Sequence, residues 1–127
     1  MKNICVFGDS ITYGESDYKF GGWVNQLRLF FNNKLKEDVF IYNLGVPGEN
    51  SSDLLVRFEQ ESKIRKPDFV LFAIGTNDIP HGEKGVEFAK SRKNFLKLIE
   101  ISKSRKYNLA FVGLTSANES LLEGYRK

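Results

Sequence analysis

Hydrophobic positions along the chain alternate between short continuous runs and stripes of helical spacing. Ile4-Cys5-Val6-Phe7 is a short apolar run and predicts a first strand. Trp23, Val24, Leu27, Phe30 and Phe31 recur at i, i+1, i+4, i+7 and i+8, one face of an amphipathic helix. Val39-Phe40-Ile41-Tyr42 predicts a second strand, because β-branched and aromatic side chains pack well on a pleated surface. Asn50-Ser51-Ser52-Asp53 supplies side-chain acceptors for the free N–H groups of a helix start, with Leu54, Leu55 and Phe58 following on one side and Pro67 closing the segment. Phe69-Val70-Leu71-Phe72-Ala73-Ile74 has no polar face, as expected for a central parallel strand covered on both sides. Phe88, Phe95 and Ile99, flanked by Leu96 and Leu98, form the stripe of a third helix, and Leu109-Ala110-Phe111-Val112 is the fourth strand.

Regular alternation of strand and helix predicts an α/β fold, a parallel sheet with helices on both faces. In such sheets ligands bind beyond the carboxyl ends of the strands. Three loops are then brought to one rim: Gly8-Asp9-Ser10, Gly45-Val46-Pro47-Gly48-Glu49-Asn50 and Gly75-Thr76-Asn77-Asp78. With no repeat, linker or low-complexity tract, residues 1–127 are read as a single domain.

Composition narrows the classes. Eleven Phe, five Tyr and one Trp need a core to bury them, which excludes disorder. No apolar run approaches the ~18 residues of a membrane span. The run after Met1-Lys2-Asn3 is too short for a signal-peptide core, so a cytoplasmic location is expected. A single cysteine, Cys5, excludes an internal disulfide framework and a Cys-based zinc cage, and its place inside the first strand marks it as core. The net charge of +3 is spread over polar helix faces and final helical turns, without the basic stripe and interleaved aromatics of a nucleic-acid binder. Neither a P-loop nor a dinucleotide glycine fingerprint occurs, and no cofactor or metal is expected.

Ser10 follows a buried strand directly. A serine hydroxyl attacks only when a base removes its proton and donors stabilise the oxyanion that forms. The neighbouring loops are suited to stabilising the oxyanion. Gly48 can present a bare backbone N–H, Asn77 a side-chain amide, and Ser10 its own N–H. Asp9 and Asp78 flank these positions and are read as loop-fixing hydrogen-bond acceptors. Glu49 can also approach a substrate, and Trp23 is read as packing at the head of its helix face. The only histidine, His81, lies between Pro80 and Gly82 in what reads as an exposed turn on the same rim, with an ordinary pKa of about 6.5.

Gly8-Asp9-Ser10-Ile11-Thr12-Tyr13-Gly14 resembles the first block of the GDSL/SGNH hydrolases, with Ile11 in place of the usual Leu. Asn43-Leu44-Gly45-Val46-Pro47-Gly48-Glu49-Asn50-Ser51 is similar to the second block, and Gly75-Thr76-Asn77-Asp78 to the third. The resemblance implies a flavodoxin-like three-layer α/β/α sandwich and a metal-free, serine-dependent hydrolase of small-molecule esters or thioesters. Ser10 would be the nucleophile, and Ser10, Gly48 and Asn77 the oxyanion hole. It differs from the G-x-S-x-G elbow, since position 12 is Thr.

The family's fourth block, Asp-x-x-His after a fifth strand, has no counterpart within the 127 residues. By resemblance the chain corresponds to the N-terminal two-thirds of such a hydrolase, lacking the final strand, helix and acid–base pair. Little turnover by this chain alone is therefore expected. The alternatives are a non-catalytic binding protein on the same fold, or a two-piece enzyme completed by a separate C-terminal fragment. An unpaired fourth strand, residues 109–112, would favour self-association or capture of that fragment.

Overall fold

The computed structural model describes residues 1–36, 38–79 and 85–114. Its four strands are β1 (Lys2–Gly8), β2 (Val39–Gly45), β3 (Phe69–Ala73) and β4 (Asn108–Phe111). They form one parallel sheet in the order β2-β1-β3-β4. Gly8 is level with Gly45 on one side and Ala73 on the other, so three adjacent strands end together. With neighbouring strands about 4.8 Å apart, the loops that follow them must leave side by side.

The helices are α1 (Ser10–Tyr13), α2 (Trp23–Leu29), α3 (Ser51–Arg65) and α4 (Phe88–Ser104). The start of α3 is a reciprocal capping box: the Asn50 side chain accepts the Asp53 N–H, and the Asp53 carboxylate accepts the Asn50 N–H. The helix stops where Lys66 turns left-handed, just before Pro67.

Helices α3 and α4 pack together, and the core they close contains Cys5, Phe7, Leu54, Phe58, Val70, Phe72, Ile74 and Leu98. Phe58 meets both Phe7 and Phe72 edge-on, at centroid distances of 5.0 and 5.1 Å. Cys5 lies in this core as expected; burial pushes its thiol up to about 11, so it stays protonated and unreactive.

Three expectations change. The buried line of α4 runs through Asn94, Leu98 and Ser102, while Phe88 stands 85% exposed. A purely apolar stripe misses this line because two of its members are polar and satisfied: Asn94 donates to the Ser51 and Ser52 hydroxyls, and Ser102 donates to the Leu98 carbonyl. Helix α2 continues as π-helical Phe30–Leu35. Phe30, where the winding changes, is half exposed and so leaves the buried stripe. Finally, β3 is not fully buried on both faces: Val70 and Phe72 are fully buried, Leu71 and Ala73 on the other face are half-buried, and Phe69 remains 42% exposed. No described helix is long and apolar enough to cross a membrane.

Candidate active site

The first loop is set by a close approach of backbones. A Cβ on Gly45 would lie 2.4 Å from the Tyr13 nitrogen, so only glycine lets α1 settle onto the end of β2. Ser10 opens α1, half-buried, and Asp9 caps it by accepting the Ile11 N–H at 3.0 Å. The loop-fixing role expected for Asp9 is thus the one observed.

Asp9 is 2% exposed, and its burial holds the carboxyl above the ordinary value of 3.8 despite the Ile11 bond. A carboxyl whose pKa is raised on folding contributes stability that is present below the unfolded pKa and lost as pH rises through the folded one. Asn caps as well as Asp without the charge. Asp9→Asn is therefore expected to raise the thermal midpoint at pH 7, the gain shrinking to nothing near pH 3. An equal loss at both pH values would show that the charge is not the cost.

The second loop is a tight turn. The Glu49 N–H returns to the Val46 carbonyl at 3.2 Å, with Pro47 and Gly48 at the central positions and Gly48 at φ +81°. This is the type II pattern, which asks for glycine at the second central position. No atom lies within 4 Å of where a Gly48 Cβ would be, so the residue faces open space at the rim.

The third loop is a single 3-10 turn, Thr76–Asp78. The Asn77 amide donates to the Glu49 carbonyl at 2.9 Å, tying the third loop to the second. An amide nitrogen has two N–H groups, so one is left for a substrate oxygen. Asp78 is buried, accepts the Ser51 N–H at 2.7 Å and the Ser91 hydroxyl, and so fixes the turn to both α3 and α4. The Val46 N–H donates to the Gly8 carbonyl at 3.0 Å, which joins the second loop to the first. Ser10, Gly48 and Asn77 are thereby carried on three hydrogen-bonded loops at one end of the sheet.

Glu49 does not face this rim with its carboxylate. It is 4% exposed and turned inward onto Arg57 of α3, whose Nε donates to Oε1 at 2.7 Å while Nη2 meets Oε2. Arg57 Nη2 also reaches the Leu44 carbonyl at 2.6 Å, and Nη1 reaches Glu61 at 2.8 Å. Burial works against the guanidinium charge, but the hydrogen bonds and charges of Glu49 and Glu61 outweigh it and hold its pKa above the ordinary value. Sequence reading misses Arg57. It sits between Val56 and Phe58 on the helix, and nothing local distinguishes it from a solvated cation.

A mainly apolar recess of about 240 Å³ lies beside the Ser10 loop, lined among others by Ile11, Thr12, Trp23, Ala73 and Leu114. Trp23 is half-buried and contributes to this wall. Thr12 Oγ1 is the one buried side-chain polar atom without a partner among the described residues. His81 lies outside the described residues. Among those described, no group of three His, Cys, Asp or Glu could hold a metal ion.

The sequence model of the GDSL-like Lipase/Acylhydrolase family matches residues 6–125. An uncharacterized lipoprotein, YqeF of Bacillus subtilis (strain 168), is 30% identical over 122 residues, covering 90% of this chain and 48% of the relative. The chain thus spans about half the length of that curated relative. The psychrotrophic esterase EstA from Pseudoalteromonas sp. superposes with a TM-score of 0.76 at 23% identity, over 91% of this chain and 62% of EstA. The acetylxylan esterase Axe2 from Geobacillus stearothermophilus superposes at 0.72 with 22% identity, over 87% of this chain and 58% of Axe2. The α/β architecture expected from the strand and helix alternation is the architecture these structures share.

Proposed function

The chain belongs to the GDSL-like lipase/acylhydrolase family, and from that premise we propose that it carries the nucleophile and oxyanion hole of a serine-dependent hydrolase of small-molecule esters or thioesters. The observation that carries this reading is the convergence of three loops. Ser10 at the start of α1, Gly48 in its type II turn and the Asn77 amide are carried on three loops that hydrogen bonds link into one rim. Ser10 attacks the ester carbonyl. Its own N–H, the Gly48 N–H and the Asn77 side chain receive the negative charge that develops on the carbonyl oxygen, and such donors are each worth about 3 kcal/mol in the transition state.

Attack also requires a base for the Ser10 proton. His81 is the only imidazole in these 127 residues, and none of the described residues supplies another. The test is hydrolysis of p-nitrophenyl acetate with imidazole supplied in solution, compared between the chain and its Ser10→Ala variant.

The outer edge of β4 supports a second proposal, association through that edge. Among the described residues β4 pairs only with β3, and Phe111, Val112 and Leu114 stand 43%, 40% and 55% exposed beside it. An apolar strand edge with free N–H and C=O groups pairs readily with another chain. Size-exclusion chromatography with light scattering is expected to give a concentration-dependent dimer. A monodisperse monomer at high concentration would overturn this.

A further inference from the structure

We propose that Arg57 is a positioning residue: by holding the two ends of the second loop it sets the Gly48 N–H and the Asn77 amide relative to Ser10. The inference rests on the oxyanion-hole role proposed for those two donors.

One guanidinium spans the loop. Its Nη2 bonds the Leu44 carbonyl near the end of β2, and its Nε and Nη2 together grip the Glu49 carboxylate on the far side of the Val46–Glu49 turn. Glu49 is the node that passes this constraint on. Its N–H closes the turn that contains Gly48, and its carbonyl accepts the Asn77 amide. Movement of Glu49 therefore moves both proposed donors at once. Arg57 is itself held on a fifteen-residue helix, by Glu61 one turn further on and by the Phe7 ring 5.4 Å from the guanidinium carbon.

Stability is a poor reason for this arrangement. Replacing a buried ion pair by apolar side chains of similar volume is often neutral or favourable, because desolvation of the charges offsets their attraction. A planar fork gives direction instead, which an ammonium cannot reproduce. The direction matters here because a misplacement of about 1 Å at a reacting centre can cost on the order of 100-fold in rate.

The experiment compares Arg57→Met, Arg57→Lys and Glu49→Gln with the parent chain, and uses Arg105→Met as a control. Arg105 pairs with Glu59 at the surface, away from the rim. Amide hydrogen exchange by NMR is read at the Glu49 N–H and the Asn77 side chain, the two hydrogen-bonded groups of the rim, against the β3 amides as a core reference. Arg57→Met is expected to speed exchange at these two rim sites about tenfold or more with the core unchanged. It should also lower kcat of the Ser10-dependent, imidazole-assisted reaction about 10- to 100-fold, with KM nearly constant. Glu49→Gln, which keeps an acceptor for the fork, should fall between parent and Arg57→Met, and Arg57→Lys should not restore the parent. Arg105→Met should leave the rim unaltered.

Rim exchange at the parent rate in folded Arg57→Met overturns the proposal. Should that variant not fold, parent-like rim exchange in Arg57→Lys overturns it instead. If the parent shows no Ser10-dependent turnover, the hydrolase reading fails, while the exchange data still decide whether Arg57 positions the loop.

Discussion

With imidazole added as a free base, the 127-residue chain is expected to hydrolyse p-nitrophenyl acetate by a route that Ser10→Ala abolishes. Without imidazole it should run close to the uncatalysed rate. The mechanism has two separable halves. A positioned base contributes about 10²–10⁴-fold by taking the proton from the attacking hydroxyl. Oxyanion donors act on the carbonyl oxygen whether or not that base is present. In the proposed reading the second half is the set Ser10, Gly48 and Asn77, carried on three hydrogen-bonded loops. Imidazole in solution supplies the first half. Because imidazole also hydrolyses the ester unaided, the quantity to measure is the difference between the chain and Ser10→Ala. Within that difference, Asn77→Ala is expected to cost about 10²–10³-fold. Full-rate hydrolysis without imidazole, lost in both Ser10→Ala and His81→Ala, would make His81 the base and overturn the expectation. An imidazole response identical in Ser10→Ala would remove the nucleophile and favour a binding protein on this fold.

Much of this rim was legible in the sequence because its determinants are local. Strand β1 contains the apolar run Ile4–Phe7, β3 is apolar throughout, and the Asn50–Asp53 capping box is written within four residues. Asp9 and Asp78 read as loop-fixing acceptors because Asp beside glycine in a turn commonly plays that part. What escaped depends on pairs distant in sequence. The buried face of α4 includes Asn94 because Ser51 and Ser52, more than forty residues earlier, offer it acceptors. Arg57 is a half-buried clamp because Leu44 and Glu49 come to it from outside its own helix. Hydropathy places both residues in solvent, since neither partner is visible until the chain is folded.

Asp78→Ala is expected to lower stability by about 3–5 kcal/mol, because a buried backbone N–H and a part-buried hydroxyl lose a charged acceptor and such bonds contribute roughly 1.5–3 kcal/mol each. The Ser51 N–H is among the donors at the start of α3 that no helix carbonyl accepts, and the Asn50 side chain already serves Asp53. A carboxylate at this place also favours the positive end of the helix. The second donor, the Ser91 hydroxyl, lies in the first turn of α4, so the same truncation loosens both helices that close the core. For a domain of this size the loss corresponds to a fall of about 10–15 °C in the thermal midpoint. Asp78→Asn, which keeps an acceptor for Ser51 without the charge, should lose about 1–2 kcal/mol. Urea unfolding with an unchanged m-value is the measurement. Since Asp78 fixes the turn that presents Asn77, Asp78→Asn should also lower the Ser10-dependent reaction at temperatures where the protein is fully folded. An unfolding free energy for Asp78→Ala within about 0.5 kcal/mol of the parent would place it with ordinary surface substitutions and remove Asp78 as the joint between loop and helices.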